Sequence, residues 1–244
     1  MRSILSFIYQ WLIFTPILVI STIVTAGIVM IGGTLFKSSF WKCVPPRYWS
    51  KIVCRAALCR IRVKGNDNLD PNQSYVFVAN HQSAFDIFLT YGYLGVNIKW
   101  IQKYELRKIP FVGKASEIAG HIFVDNSSVR ARTQTIEKAE EELRVGDSIA
   151  IFPEGARTRT GRMAHFKKGA YIIATQMQLP IVPITLNGPF DVLKRDSMTL
   201  HLGKKMEIII HEPISTSGLD ESNIPELIEE SYQTIKASLW DRYQ

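Results

Sequence analysis

The chain has 244 residues, enough for one well-buried domain with an appendage and too few for two typical domains plus an anchor. Apolar residues make up 46% and charged residues 21%, which excludes disordered and fibrous classes, and a formal net charge of +7 suits an anionic lipid surface or an anionic substrate. Nucleic acid is not the expected partner, because Lys and Arg are scattered with no zinc-finger or helix-turn-helix spacing, and Cys43, Cys54 and Cys59 form neither a C-x-x-C pair nor a disulfide framework.

Ile4 to Phe36 carries no charged side chain, which exceeds the roughly 20 residues needed to cross a bilayer core. The run is too long for a signal-peptide core, and no small-residue cleavage pattern follows it. Pro16, Gly27, Gly32 and Gly33 interrupt it, so either one kinked span or a pair of shorter helices dipping into one leaflet fits. Lys37, Lys42, Arg47, Lys51, Arg55 and Arg60 follow the run against Arg2 before it. That bias puts the main domain on the cytoplasmic face of the cell membrane, with Trp41, Tyr48 and Trp49 at headgroup level. The expected division is a membrane anchor over 1–50 and a catalytic domain over 51–244.

Beyond the anchor, short β-rich runs alternate with helical stretches. Tyr75–Ala79, Ile98–Ile101, His121–Val124, Ser148–Phe152 and Ile181–Leu186 read as buried strands. Ser128–Arg144 reads as a helix, with Val129, Ile136, Ala139 and Leu143 on one stripe and Gly146 as the stop. Leu200–Leu202 and Met206–Ile210 around Gly203-Lys204-Lys205 suggest a hairpin, and Pro225–Tyr243 a terminal amphipathic helix. The class expected is α/β, with a largely parallel sheet flanked by helices.

In such sheets, sites gather in the loops that follow strands. After Ala79 comes Asn80-His81-Gln82-Ser83-Ala84-Phe85-Asp86, an imidazole and a carboxylate five positions apart. The pair meets only if a turn intervenes, with Ser83 capping a following helix and Asp86 in its first turn. A carboxylate bonded to one ring nitrogen fixes the tautomer and leaves the other as a general base. After Phe152 comes Pro153-Glu154-Gly155-Ala156-Arg157-Thr158-Arg159-Thr160-Gly161-Arg162, whose glycine and guanidinium groups suit an anion. No G-x-S-x-G elbow, phosphate-binding G-x-x-x-x-G-K-[ST] loop or H-E-x-x-H helix occurs. A His-Asp pair without a protein nucleophile points to direct activation of a substrate hydroxyl.

At these residues the chain resembles the glycerolipid acyltransferase family, in particular its 1-acyl-glycerol-3-phosphate acyltransferases. Asn80-His81-Gln82-Ser83 with Asp86 is similar to the N-H-x-S-x-x-D block, and Phe152 to Arg157 to the F-P-E-G-T-R block. Lys103-Tyr104-Glu105-Leu106 with Ile109-Pro110-Phe111-Val112-Gly113, Phe166 to Ala170, and Val182-Pro183-Ile184 resemble further blocks in order, over about residues 60 to 190. The resemblance implies a glycerol-3-phosphate acyltransferase-like α/β domain with His81 and Asp86 as catalytic pair. It implies transfer of an acyl group from an acyl carrier protein or coenzyme A thioester to lysophosphatidic acid, giving phosphatidic acid, with no metal or cofactor. It also implies that Lys103, Glu154, Gly155 and Arg157 contact the substrate. Ala156 stands where the family usually has Thr, and Asn126 where many members have Arg; Lys103 or Arg130 is the candidate replacement charge. His121 reads as a packed histidine and His165 as a loop residue near the anion site. The rival expectations are a different acceptor, such as glycerol 3-phosphate or another lyso-lipid, and a lipid-binding protein without chemistry.

Overall fold

A computed structural model describes residues 4–36, 38–124, 135, 137–139, 141, 143 and 147–244. Seven strands form one sheet in the order β1 (Arg60–Lys64), β7 (Lys205–Ile210), β6 (Ile181–Asn187), β2 (Val76–Ala79), β5 (Ser148–Ile151), β3 (Ile98–Lys103) and β4 (Ile122–Val124). Neighbours are parallel except β6 with β7, so the expected largely parallel sheet holds. β2 is apolar at every position and wholly buried, which requires cover on both faces. Phe77 and Ala79 face one core with Val53, Phe85 and Leu89, while Val76 and Val78 face another with Tyr171, Ile173, Leu227 and Ile235. Helices α2 (Ser39–Ala56) and α3 (Phe85–Tyr93) therefore cover the first face, and α5 (Gly169–Met177) and α7 (Ile224–Ala237) the second. Two further short helices are α4 (Val112–Ile118) and α6 (Pro189–Val192).

Two expectations change. Leu200–Leu202 forms no strand, so there is no hairpin around Gly203. The Leu200 and His201 amides donate to Gln10 Oε1 and to Val192 O, and β7 pairs with β1 and β6. Strand β1 was hidden by its Arg-Ile-Arg-Val-Lys alternation, the charged pattern of an exposed sheet edge. Of the expected helix over 128–144, Ala139 and Leu143 are described and buried in the second core; Asn126, Arg130 and Gly146 lie outside the described residues.

The leading apolar run is one helix, α1 (Ile4–Leu35), not two. Pro16 does not break it because the turn Gln10–Phe14 is widened: the Thr15 amide donates back five residues to Gln10 O. The helix is about 48 Å long at 1.5 Å per residue, and from Tyr9 to Gly33 one side of it lies against the domain. Tyr9 OH donates to Ala56 O, Gln10 Nε2 to Met198 O, and Trp49 Nε1 to Thr22 Oγ1. Phe14 stacks on Phe85, and Ala26 and Val29 pack on Ala115 and Ala119. Helix α2 follows, capped by Ser38 and carrying Pro45 and Pro46 in its interior.

Candidate active site

β2 ends in Ala79, and Asn80 closes the strand with a side chain that imitates backbone: its amide accepts from Leu186 N and donates to Leu186 O. That pairing turns the chain, and His81 leaves the sheet at the carboxyl end of the strands. Helix α3 starts at Phe85 after Ala84, one residue later than the expected cap; the Ser83 hydroxyl accepts from Phe85 N and donates to Leu193 O. Asp86 therefore sits in the first turn and reaches back. Its Oδ2 accepts from His81 Nδ1 at 2.8 Å, from Gln82 N at 2.6 Å and from Ser83 N at 2.7 Å. The carboxylate is fully buried, and an ionised carboxylate only accepts, so the proton lies on Nδ1 and Nε2 carries the lone pair. The imidazole is 15% exposed, enough to meet a substrate.

The loop after β5 holds His81 by its backbone. Glu154 Oε1 accepts from His81 N at 2.6 Å and Oε2 from Ala164 N at 2.8 Å, while Thr158 N donates to His81 O at 2.9 Å. Burial pushes the Glu154 carboxyl up to about 7, against the two amide bonds that pull it down. Both Glu154 oxygens thus face backbone donors and tie the two loops together. Gly155 turns in the left-handed region at φ +74°, and a Cβ there would lie 2.7 Å from Lys167 Nζ, so an ammonium sits over the turn. Arg157 is half-buried, its carbonyl accepting from Arg195 Nη1 at 2.7 Å. Lys103 ends β3 and, through the β3–β5–β2 register, comes level with Asn80 two strands away. His81, Asp86, Glu154, Gly155, Arg157 and Lys103 are all at one end of the sheet.

Two sets of contacts escaped the sequence. The Phe152 ring stacks on His81 with centroids 3.9 Å apart and planes 6° apart, and Trp100 stacks behind Phe152. Lys167 and Arg195 join the Gly155–Arg157 turn from later segments. Phe152 and Lys167 lay within motif blocks legible in the sequence, but their contacts with His81 and with the Gly155 turn did not follow from those blocks. His121 is packed as expected: it lies between Tyr91 OH and Trp100 N, and burial pushes its pKa down to about 3, so it stays neutral. His165 is exposed in the segment after Gly161.

The arrangement offers a tautomer-fixed imidazole with a free Nε2 beside a turn rich in cations, which can take a proton from a hydroxyl held by an anionic group. Residues 60–187 match the Acyltransferase family. A chloroplastic 1-acyl-sn-glycerol-3-phosphate acyltransferase of Arabidopsis thaliana is 34% identical over 66% of this chain and 45% of its own length. A 1-acyl-sn-glycerol-3-phosphate acyltransferase alpha of Mus musculus is 31% identical over 69% of this chain and 59% of its own. The chain thus spans about half the length of these curated relatives. The crystal structure of PlsC, a 1-acyl-sn-glycerophosphate (LPA) acyltransferase from Thermotoga maritima, superposes with a TM-score of 0.81 at 27% identity, over 99% of this chain and all of that one.

Proposed function

The chain belongs to the acyltransferase family, and we propose that it transfers a fatty acyl group from an acyl carrier protein or coenzyme A thioester to the 2-hydroxyl of lysophosphatidic acid. His81 Nε2 takes the hydroxyl proton as the oxygen attacks the thioester carbonyl. The tetrahedral adduct collapses with release of the thiolate, and the imidazolium returns the proton to that sulfur, leaving phosphatidic acid and free thiol. Asp86 stabilises the imidazolium in between. Arg157, with Lys103 and the turn at Gly155, receives the acceptor phosphate, and Glu154 contributes by fixing both that turn and the His81 backbone. Orientation of the hydroxyl against the thioester supplies as much as charge does. No residue of the protein is acylated in this scheme, and it needs no metal or cofactor.

The observation that carries the reading is the 2.8 Å bond between His81 Nδ1 and the buried Asp86 beside the Gly155–Arg157 turn. The membrane supplies the acceptor. The basic residues after α1 favour the cytoplasmic leaflet of the cell membrane, whose lipids are anionic. Incubating the purified protein in vesicles with labelled lysophosphatidic acid and each thioester, then identifying lipids by mass spectrometry, tests the proposal. Phosphatidic acid is the expected product; its absence with every thioester refutes the reading, and preference for glycerol 3-phosphate reassigns the acceptor.

A further inference from the structure

A groove of about 840 Å³ lies away from His81, at the β1–β7 edge of the sheet. Topology nevertheless places it at the same end of the sheet as the catalytic pair. β6 runs parallel to β2, β7 antiparallel to β6, and β1 parallel to β7. The beginnings of β1 and β7 therefore share an end with the close of β2. Glu207 pairs with Asn187, three residues beyond the Ile184 that pairs with Ala79, so the groove stands level with the His81 loop. One segment walls it from that loop: Gly188, φ +95°, passes so near Lys205 that a Cβ would lie 2.2 Å from its carbonyl, and Leu193 O accepts from Ser83 Oγ at 2.6 Å.

Five cationic side chains line the groove against two carboxylates. Asp191 is taken by Arg242 at 2.6 Å, and Glu207 by Lys64 at 2.9 Å and Trp240 Nε1 at 3.3 Å. Arg60, Lys204 and Lys205 have no carboxylate partner among the described residues. Their backbone is fixed, since Arg60 N donates to Lys204 O and Gly203 N to Ala57 O. Such a cluster of unpaired cations in a concave site fits a phosphate. It does not fit a stacked base, because Arg242 already covers the Trp240 ring at 4.3 Å. The groove is two to three strands from β2, about 10 to 14 Å, and a pantetheine arm spans about as much as four to five extended residues, roughly 15 Å.

We propose that this groove binds the phosphate of the phosphopantetheine arm that carries the acyl thioester, so that the arm crosses the 188–196 segment and presents its carbonyl to His81. The inference rests on the thioester reading of the site above. Coenzyme A and acyl carrier protein both hold this phosphate, and it is the part of the donor that the groove selects.

The test compares acyl-phosphopantetheine with acyl-pantetheine, donors that differ by that phosphate, on the full-length protein in vesicles. The parent protein should favour the phosphorylated donor by about tenfold or more in kcat/KM, the size expected of one charge-assisted contact set. Arg60→Ala/Lys204→Ala/Lys205→Ala should remove the preference while the KM for lysophosphatidic acid stays within about twofold. The single exposed-site variant Lys205→Glu should reduce the preference in the same direction, and it serves if the triple variant does not fold. A preference that survives in both variants overturns the proposal. So does an equal loss with both donors accompanied by weaker binding to anionic vesicles, which would make the groove a headgroup site. Transfer by the parent with no preference refutes the groove alone, whereas no transfer with any donor refutes the underlying reading.

Discussion

Replacing Asp86 by Asn removes one charge and almost nothing else. The carboxylate Oδ2 accepts three bonds, which an amide oxygen can also accept, and Oδ1 has no partner among the described residues, so no bond is lost at the new NH₂. The helix start and the His81 tautomer should survive. What disappears is the attraction between Asp86 and the imidazolium that forms as the hydroxyl is deprotonated. With charge centres about 3.5 Å apart and an effective dielectric near 20, that attraction is about 5 kcal/mol. As an upper limit it corresponds to between three and four decades in rate. Release of thiol from an acyl thioester with lysophosphatidic acid as acceptor should fall about 10²- to 10³-fold in kcat, with little change in acceptor KM. His81→Ala should fall at least as far, and the double variant no further, because the two residues act as one unit. A kcat for Asp86→Asn within tenfold of the parent would sink the general-base assignment.

Other outcomes follow from the neighbours of this pair. Burial raises the Glu154 carboxyl from an ordinary 4.5 to about 7 in the folded state. The folded chain therefore binds the proton more tightly than the unfolded one, and Glu154's contribution, fully present below 4.5, is lost as pH rises through about 7. Denaturation across that window should show a decline on the order of 3 kcal/mol that Glu154→Gln lacks; an unchanged slope in the variant would exclude Glu154 as its source. Phe152→Leu removes the face stacked on His81, worth about 0.5 to 1.5 kcal/mol, and should slow transfer about three- to tenfold without shifting acceptor KM, measured in the same thiol assay. Gly188→Ala puts a methyl 2.2 Å from Lys205 O in a left-handed turn. It should lower stability by more than about 2 kcal/mol, and an unshifted denaturation midpoint would refute that.

The elements that were legible are those whose burial has a single period. β2 and β6 are apolar at nearly every position because both faces of a central parallel strand are covered, and the turn of the His81 loop follows from the strand before it. β1 was opaque because alternating Arg and Lys on an edge strand look like a solvated loop. The hairpin failed for a non-local reason: the backbone near Leu200 is satisfied by Gln10, 190 residues earlier in the chain. At the site, local spacing showed that His81 and Asp86 could meet. It did not show that Glu154 would hold the His81 amide, since that bond joins residues 73 positions apart. The approach of the distant Lys167 and Arg195 to the Gly155–Arg157 turn could not be read for the same reason, and α2 forms despite Pro45 and Pro46 by packing on α1 and α3.

The course of α1 decides how the domain would meet a bilayer. Composition alone permits a span, since 32 residues are longer than a bilayer core requires. Contact does not. From Tyr9, bonded to Ala56, to Gly33, against Ile118, one side of the helix is engaged by the folded domain over about 36 Å. A helix so engaged could cross the hydrocarbon only by carrying buried strands and ion pairs with it. Its other side presents Leu5, Leu12, Val19, Ile23, Ile31 and Leu35, and Phe40, Tyr48 and Ile52 of α2 are exposed as well. That surface suits one leaflet, with the helix lying in the membrane plane and the catalytic pair near the depth of the lyso-lipid headgroup. A tag fused ahead of Met1 should then be cleaved by protease from the same side of a sealed vesicle as the catalytic domain. Cleavage from the opposite side alone would establish a span. Consistent with the in-plane course, Gln10→Leu and Trp49→Phe, which remove the polar ties of α1 to the domain, should weaken the hold of the domain on the helix by about 1 kcal/mol each while leaving vesicle binding intact. Loss of vesicle binding in either variant would mean that those ties, and not the exposed apolar face, hold the protein on the bilayer.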